Sequence, residues 1–246
     1  MRNRLFLSVG MPRAGSGWHY NLIHDLVVAG GGQDARQIRQ RFHLGRFLTE
    51  VNCNIGTLKA RRLLPVLLPT ILGNSFAIKT HAGPTRTALS LIQQGQIVAT
   101  YIYRDPRAAL LSAYEYGQRG AEEGRSNAFS ELTSLEKAKA FMQQYVAIWA
   151  LWTGYPEVLT VRYEDLVRDY KDEIIRLAGF LGSEPAQHPV QEVFDKYRPE
   201  RGDLGQIGTH FSKGKAERFR SIFTSDQLEE FSQAFQPAIE QMGYSV

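Results

Sequence analysis

Short apolar runs and helical repeats alternate along this chain. Leu5 to Val9 is a near-continuous apolar run, the pattern of a strand buried on both faces of a parallel sheet. Beyond a glycine-containing turn, Trp18, Leu22, Leu26 and Ala29 recur at helical spacing, and Gly30, Gly31 and Gly32 end that helix. Phe76 to Thr80, Ile97 to Tyr103 and Val158 to Tyr163 read as three more strands, each separated from the next by helical pattern or a long insertion. Such spacing requires crossover connections and predicts an α/β fold with a mostly parallel central sheet flanked by helices. Among the helices, Pro106 lies just inside a start capped by Asp105, and that helix runs to about Tyr116. Ser134 to Trp152, Tyr170 to Leu181 and Ser225 to Met242 complete the set. The segments 33–69 and 117–133 are irregular and polar or basic, which suits insertions that cover a substrate.

The 246 residues, 43% hydrophobic and 22% charged, fit one sizeable core and hence a single domain over 1–246. A formal charge of +4 and a pI near 9.2 suit a protein that binds small anions as well as one that binds nucleic acid, so charge alone does not choose. One cysteine, Cys53, excludes an internal disulfide and fits a reducing compartment. The apolar part of residues 1–9 is too short for a signal peptide. The run from Leu63 to Leu72, broken by Pro65 and Pro69, is about half the ~20 residues that span a bilayer. These features predict a soluble, cytoplasmic protein without stable membrane insertion.

The first turn carries the chemistry. In "SVGMPRAGSGWHY", Gly10 and Gly15 keep the G-x-x-x-x-G spacing of a phosphate-cradling loop, but Ser16 stands where a nucleotide-triphosphate enzyme places its lysine. An ordinary strand-to-helix turn has the same glycines. Following a strand and opening a helix, however, the N–H groups of residues 13–17 and the helix dipole point at one place and can hold an anion. Without the lysine, and with the metal-holding hydroxyl out of place, magnesium-dependent triphosphate chemistry is disfavoured, and Arg13 is the nearest cation. The architecture expected is therefore a P-loop-like three-layer fold. No His, Cys or carboxylate cluster has metal-ligand spacing, which predicts a metal-independent reaction. On a strand, alternation puts Lys79 and His81 on one side and Thr80 on the other, so a base stands beside a cation. His19, His24, His43, His188 and His210 read as structural.

"PRAGSGW", "IKTH", "YRDPRAALLSAY", "VRYEDL" and "FSKG" occur in the order of the sulfotransferases that use 3′-phosphoadenosine 5′-phosphosulfate, and the chain resembles that family from about Leu5 to Phe223. The histidine after Lys-x resembles the cytosolic, small-molecule branch; the carbohydrate branch commonly has a carboxylate there. The resemblance implies a transferase with that nucleotide as co-substrate, adenosine 3′,5′-bisphosphate as product and no metal. It also implies a set of site residues. Arg13, in place of the family's lysine, Ala14, Gly15, Ser16 and Gly17 hold the 5′-phosphate, and Trp18 stacks on adenine, packs in the core, or does both. Arg104 and Ser112 meet the 3′-phosphate, although a strand-end arginine is otherwise a salt-bridged surface group, its partner to come from Arg107 or Asp105. Tyr163 contacts adenine, Glu164 and Asp165 tie the strand end to the next helix, and Phe211, Ser212, Lys213 and Gly214 cover the 3′-phosphate. His81 is the general base, supported by Lys79 and Arg13. Gly17 stands for a second hydroxyl residue and Ser212 for an arginine.

Two other readings stay open at the level of sequence. One is a magnesium-dependent small-molecule kinase with Asp105 as the metal-holding carboxylate; the other is a non-catalytic nucleotide- or nucleic-acid-binding module using Arg36, Arg39, Arg41, Arg46, Arg61 and Arg62. Aromatic platforms do not interleave with those arginines, so they read as a solvated or lid face and no nucleic-acid partner is expected. The partner expected is a small-molecule hydroxyl acceptor, and Phe42, Phe47, Tyr114 and Tyr116 point to an apolar or aromatic one. Oligomeric state is left open.

Overall fold

The computed structural model describes residues 3–199 and 217–246. In chain order the elements are β1 (Leu5–Gly10), α1 (Ser16–Ala29), α2 (Ala35–Arg41), a 3₁₀ turn (Leu44–Arg46), α3 (Ala60–Ile71), β2 (Phe76–Thr80), α4 (Arg86–Gln93), β3 (Ile97–Tyr103), α5 (Pro106–Glu122), α6 (Leu135–Thr153), β4 (Val158–Arg162), α7 (Tyr163–Arg168), α8 (Tyr170–Leu181), α9 (His188–Lys196), α10 (Phe219–Ile222), α11 (Ser225–Phe235) and α12 (Ala238–Gln241). The strands form one parallel sheet in the order β2-β1-β3-β4. The chain leaves β1 for β2 on one side and returns past it to β3 on the other. The C-terminal end of β1 is therefore the switch point of the sheet, where such folds open a crevice.

Side-chain alternation makes three layers of this sheet. Ser8 on β1 bonds His19 of α1 at 3.0 Å, which places α1 on one face. Tyr101 and Tyr103 of β3 meet Trp152 and Trp149 of α6. Thr100 lies beside Ser8 in register, so its neighbours Tyr101 and α6 belong to the opposite face. Both faces being covered, β1, β2 and nearly all of β3 are buried, which explains their unbroken apolar reading. Among the described residues no helix is long and apolar enough to cross a membrane.

The strands fall where the sequence predicts, but the insertions differ. Segment 33–69 is not irregular throughout: it holds α2, the 3₁₀ turn and most of α3. Asp34 caps α2 by accepting from the N–H groups of Arg36 and Gln37. α3 keeps Pro65 and Pro69 inside it, because burial of Leu63, Val66 and Leu67 outweighs the two lost donors. The residues after Cys53 then run along the sheet edge, with Ile55 N–H donating to the Lys79 carbonyl at 2.8 Å. α5 extends past Tyr116 to Glu122. The predicted last helix is two, since Pro237 has no N–H and the residue before it, Gln236, is extended.

Candidate active site

At the switch point the chain turns from β1 into α1 through residues 11–15. Gly15 has φ +76° and a Cβ there would lie 2.8 Å from the Tyr163 ring, so this residue must be glycine. Arg13 also adopts the left-handed region, at φ 63°, a conformation an arginine holds only when its surroundings fix it. They do so here: Nε donates to Ser112 Oγ at 3.1 Å, and the guanidinium lies 4.5 Å from the Tyr116 ring centre and 5.8 Å from that of Phe129. Burial lowers Arg13 to about 10, with Arg119 and Arg104 adding to the shift. No side chain caps α1 and no acidic residue occupies its first turn. No side chain therefore competes for the first-turn N–H groups.

The neighbouring strand supplies base and cation together. Lys79 is buried in β2, in register with Ser8; burial, helped by Arg13, lowers it to about 8. Thr80 faces away and donates to the Ile55 carbonyl at 2.8 Å. His81, just past the strand, places Nδ1 at 2.6 Å from the Gly10 carbonyl oxygen. A carbonyl only accepts, so Nδ1 carries the proton and Nε2 keeps its lone pair. Burial and then Lys79 lower His81 to about 4, against the opposing pull of the Gly10 bond, and the ring is neutral at neutral pH.

Arg104 ends β3 with its guanidinium 4.6 Å from the Tyr163 ring centre and Nε 3.8 Å from Glu164 Oε1. Asp105 is not its partner. That carboxylate caps α5 and binds Arg107 through both oxygens, at 3.1 and 2.8 Å. A buried carboxylate so engaged is unsuited to holding a metal, which removes the residue on which the kinase reading depends. Asp165 and Glu164 both tie the strand end to the next helix, 3.7 and 3.8 Å from Arg162, and Glu164 also accepts from the Tyr244 hydroxyl. Trp18 is both core and cleft wall: it stacks on Tyr170 at 6.3 Å with rings 11° apart and meets Tyr163 edge-on.

These residues enclose a cleft of about 290 Å³. Its lining joins Arg13, Gly15, Ser16, Gly17, Trp18, Lys79, His81, Arg104, Ser112 and Tyr163, so the residues expected from distant parts of the sequence share one cavity; Ala14 is buried beneath the loop. Among the lining residues are three cations and no carboxylate. The sequence singles out none of Asn52, Asn127, Ala128 and Phe129, which complete the wall with Tyr116, although all four come from the two segments expected to cover a substrate. A signal for them exists. Gly117 and Gly120 interrupt α5 three residues apart, and a Cβ at Gly117 would stand 2.2 Å from the Phe129 carbonyl oxygen; paired helix glycines mark such a close backbone approach. Phe211, Ser212, Lys213, Gly214 and His210 lie outside the described residues. His19 and His24 are buried and bonded to Ser8 and Asp25, and Arg36 and Arg39 donate to the carbonyls of Val51 and Leu48, tying down the first insertion.

Solved structures share this architecture. Mouse sulfotransferase SULT7A1 complexed with PAP superposes with a TM-score of 0.62 at 15% identity, covering 98% of this chain and 86% of that one. Retinol dehydratase in a complex with retinol and PAP gives 0.61 at 16%, covering 100% and 83%. The sulfotransferase domain from the curacin biosynthetic pathway gives 0.51 at 13%, covering 100% and 99%. The sulfotransferase domain family matches residues 4–243, from the strand before the glycine loop to the segment beyond α12, and the chain belongs to that family.

Proposed function

We propose that this single-domain protein transfers a sulfuryl group in line from 3′-phosphoadenosine 5′-phosphosulfate to the hydroxyl of a small-molecule acceptor. The observation that carries this reading is the cleft lining: an uncapped helix N-terminus, Arg13, Lys79 and Arg104 converge without a carboxylate, beside a neutral histidine with a free Nε2. Such a lining fits a nucleotide with several negative charges and no accompanying metal.

In the reaction the acceptor oxygen forms the new O–S bond as the S–O bond to the 5′-phosphate breaks. The electron pair of that bond leaves on the phosphate oxygen, yielding adenosine 3′,5′-bisphosphate, and the acceptor proton passes to His81 Nε2. The bond from Nδ1 to Gly10 orients the ring for this and fixes its tautomer. Residues 13–17 and Lys79 face the charge that grows on the leaving phosphate, where fixed donors are most effective. Trp18 and Tyr163 flank the base, and Arg104 with Ser112 meets the 3′-phosphate. Phe211, Ser212, Lys213 and Gly214 join that phosphate by resemblance to the family motif. Tyr116 and Phe129 give the acceptor side an aromatic surface, in keeping with the retinol held by one structural neighbour. An apolar or aromatic alcohol is the acceptor class that suits it.

The test is release of adenosine 3′,5′-bisphosphate from the sulfated nucleotide in the presence of a panel of phenols and aliphatic alcohols, with and without a chelator. Acceptor-dependent, chelator-insensitive release is expected. Consumption of ATP that stops with chelator, and no release of the bisphosphate, would overturn the reading.

A further inference from the structure

Next to Arg104 stands a charged cluster, Glu164, Arg162 and Tyr244, whose members do not line the cleft. Glu164 is only 4% exposed, and its two oxygens face different partners. Oε1 lies 3.8 Å from Arg104 Nε, while Oε2 accepts from the Tyr244 hydroxyl at 2.5 Å and lies 3.8 Å from Arg162 Nε. The Arg162 guanidinium stands 4.2 Å from the Tyr244 ring centre. The segment carrying Tyr244 is itself fixed, because Arg107 donates to the Ser245 carbonyl at 2.7 Å.

A long arginine side chain has many rotamers, and its planar donors recognise a phosphate only when the plane is set. Arg104 has the Tyr163 ring at 4.6 Å and a buried carboxylate near its Nε. At 3.8 Å the carboxylate attracts the guanidinium from its Nε edge, which biases the plane of the group. Arg162, which also lies near Glu164, has a second carboxylate in Asp165 at 3.7 Å, so Glu164 is not claimed by Arg162 alone and can act on Arg104.

We propose that Glu164, held by Tyr244 from 80 residues away, is a positioning residue that aims Arg104 and so sets the preference for a nucleotide bearing a 3′-phosphate over one lacking it. This rests on the reading that Arg104 meets the 3′-phosphate. Neither Glu164 nor Tyr244 touches the nucleotide; both act through the guanidinium.

Calorimetric titration of the full chain with adenosine 3′,5′-bisphosphate and with adenosine 5′-monophosphate separates the possibilities, the ratio of the two affinities being the readout. Arg104→Ala is expected to lower that ratio about 10- to 100-fold, the worth of a charged hydrogen bond. Glu164→Gln should lower it about 5- to 10-fold and Tyr244→Phe about 2- to 4-fold, with monophosphate affinity unchanged, and Glu164→Gln added to Arg104→Ala should lower it no further. A ratio unchanged in Glu164→Gln, or equal weakening toward both nucleotides, overturns the positioning role and leaves a purely structural one. Should Glu164→Gln fail to fold, Tyr244→Phe decides by the same ratio. A ratio unaffected by Arg104→Ala would instead overturn the assignment of the 3′-phosphate contact itself.

Discussion

The cleft has two walls built on different principles. One consists of strand ends: Lys79 is fixed by the register of β2 against β1, and His81 by a bond to Gly10, the last residue of β1. The other is a segment folded on itself, with Asn127 donating from its side chain to the Tyr116 carbonyl at 3.3 Å and accepting from the Phe129 N–H at 2.8 Å. They meet at Arg13, whose backbone belongs to the first wall and whose guanidinium faces the rings of the second. On the first wall a side chain moves only if the sheet moves; on the second, local changes can rebuild the surface without touching the core. Substitutions in the first wall should therefore act on kcat, and those in the second on KM for the acceptor.

The largest effect expected is that of His81→Ala. Losing the proton acceptor should reduce turnover by about 10²- to 10⁴-fold, while affinity for adenosine 3′,5′-bisphosphate, measured calorimetrically, stays within about twofold. Joint loss of turnover and binding would mean that the imidazole holds the wall together.

Next in size is the pH dependence of kcat/KM, which reports the free enzyme. His81 must be neutral to take a proton, so activity is present above its value of about 4 and is lost as pH falls through it. Lys79 must be charged to support the leaving phosphate, so activity is lost as pH rises through about 8. A plateau between these limits is expected, with about tenfold loss per unit well above the upper one. In Lys79→Arg the alkaline limb should move upward, because a guanidinium stays charged there. An alkaline limb that stays in place would detach Lys79 from it.

How well each wall could be read from the residues follows from the same division. Strand register and strand-end chemistry depend on local pattern: an apolar run, glycines at fixed offsets, a histidine two residues past a lysine. Phe76–Thr80 and Ile97–Tyr103 accordingly fall where alternation and apolar runs place them, and Lys79 and His81 line the cleft together. The second wall depends on what packs against what. Nothing adjacent to Phe129 says that its carbonyl will lie over Gly117, and α3 forms around two prolines because its apolar face is buried. Glu164 is the sharpest case. Its place between a strand and a helix suggests a local tie, which it makes to Arg162, but the Tyr244 hydroxyl it accepts from lies near the far end of the chain and only the fold brings the two together.

Gly117→Ala probes the second wall at its base. The added methyl would stand 2.2 Å from the Phe129 carbonyl oxygen and 3.0 Å from its carbonyl carbon, both backbone atoms, so the segment must shift. Overpacking of this kind costs about 1–3 kcal/mol, and here it falls on a surface segment that can yield without unfolding the sheet. A roughly tenfold rise in acceptor KM is expected, with a smaller change in melting temperature. If the melting temperature collapses while KM holds, the segment belongs to the core and the distinction between the walls fails.

The smallest effect, and the finest division between the walls, is expected from Phe129→Ala. The Phe129 ring touches the cleft from one side and meets Tyr116 and Phe141 edge-on at 5.7 Å each, while its distance to the Arg13 guanidinium is larger than that of Tyr116. Truncating it removes apolar surface from the cleft wall proposed to receive the acceptor. The closer ring and the Ser112 bond still hold Arg13. A cation–π contact is worth about 0.5–1 kcal/mol when exposed and about 2 when desolvated, so losing the more distant one beside the partly buried Arg13 should change bisphosphate affinity by no more than about fivefold. Acceptor KM should rise about 3- to 10-fold for bulky aromatic alcohols and hardly at all for small aliphatic ones, with kcat unchanged. Steady-state kinetics with both acceptor classes reads this directly. Equal losses for the two classes, or a fall in kcat like that of His81→Ala, would mean that the aromatic wall works through Arg13 on the reacting phosphate rather than on the choice of acceptor.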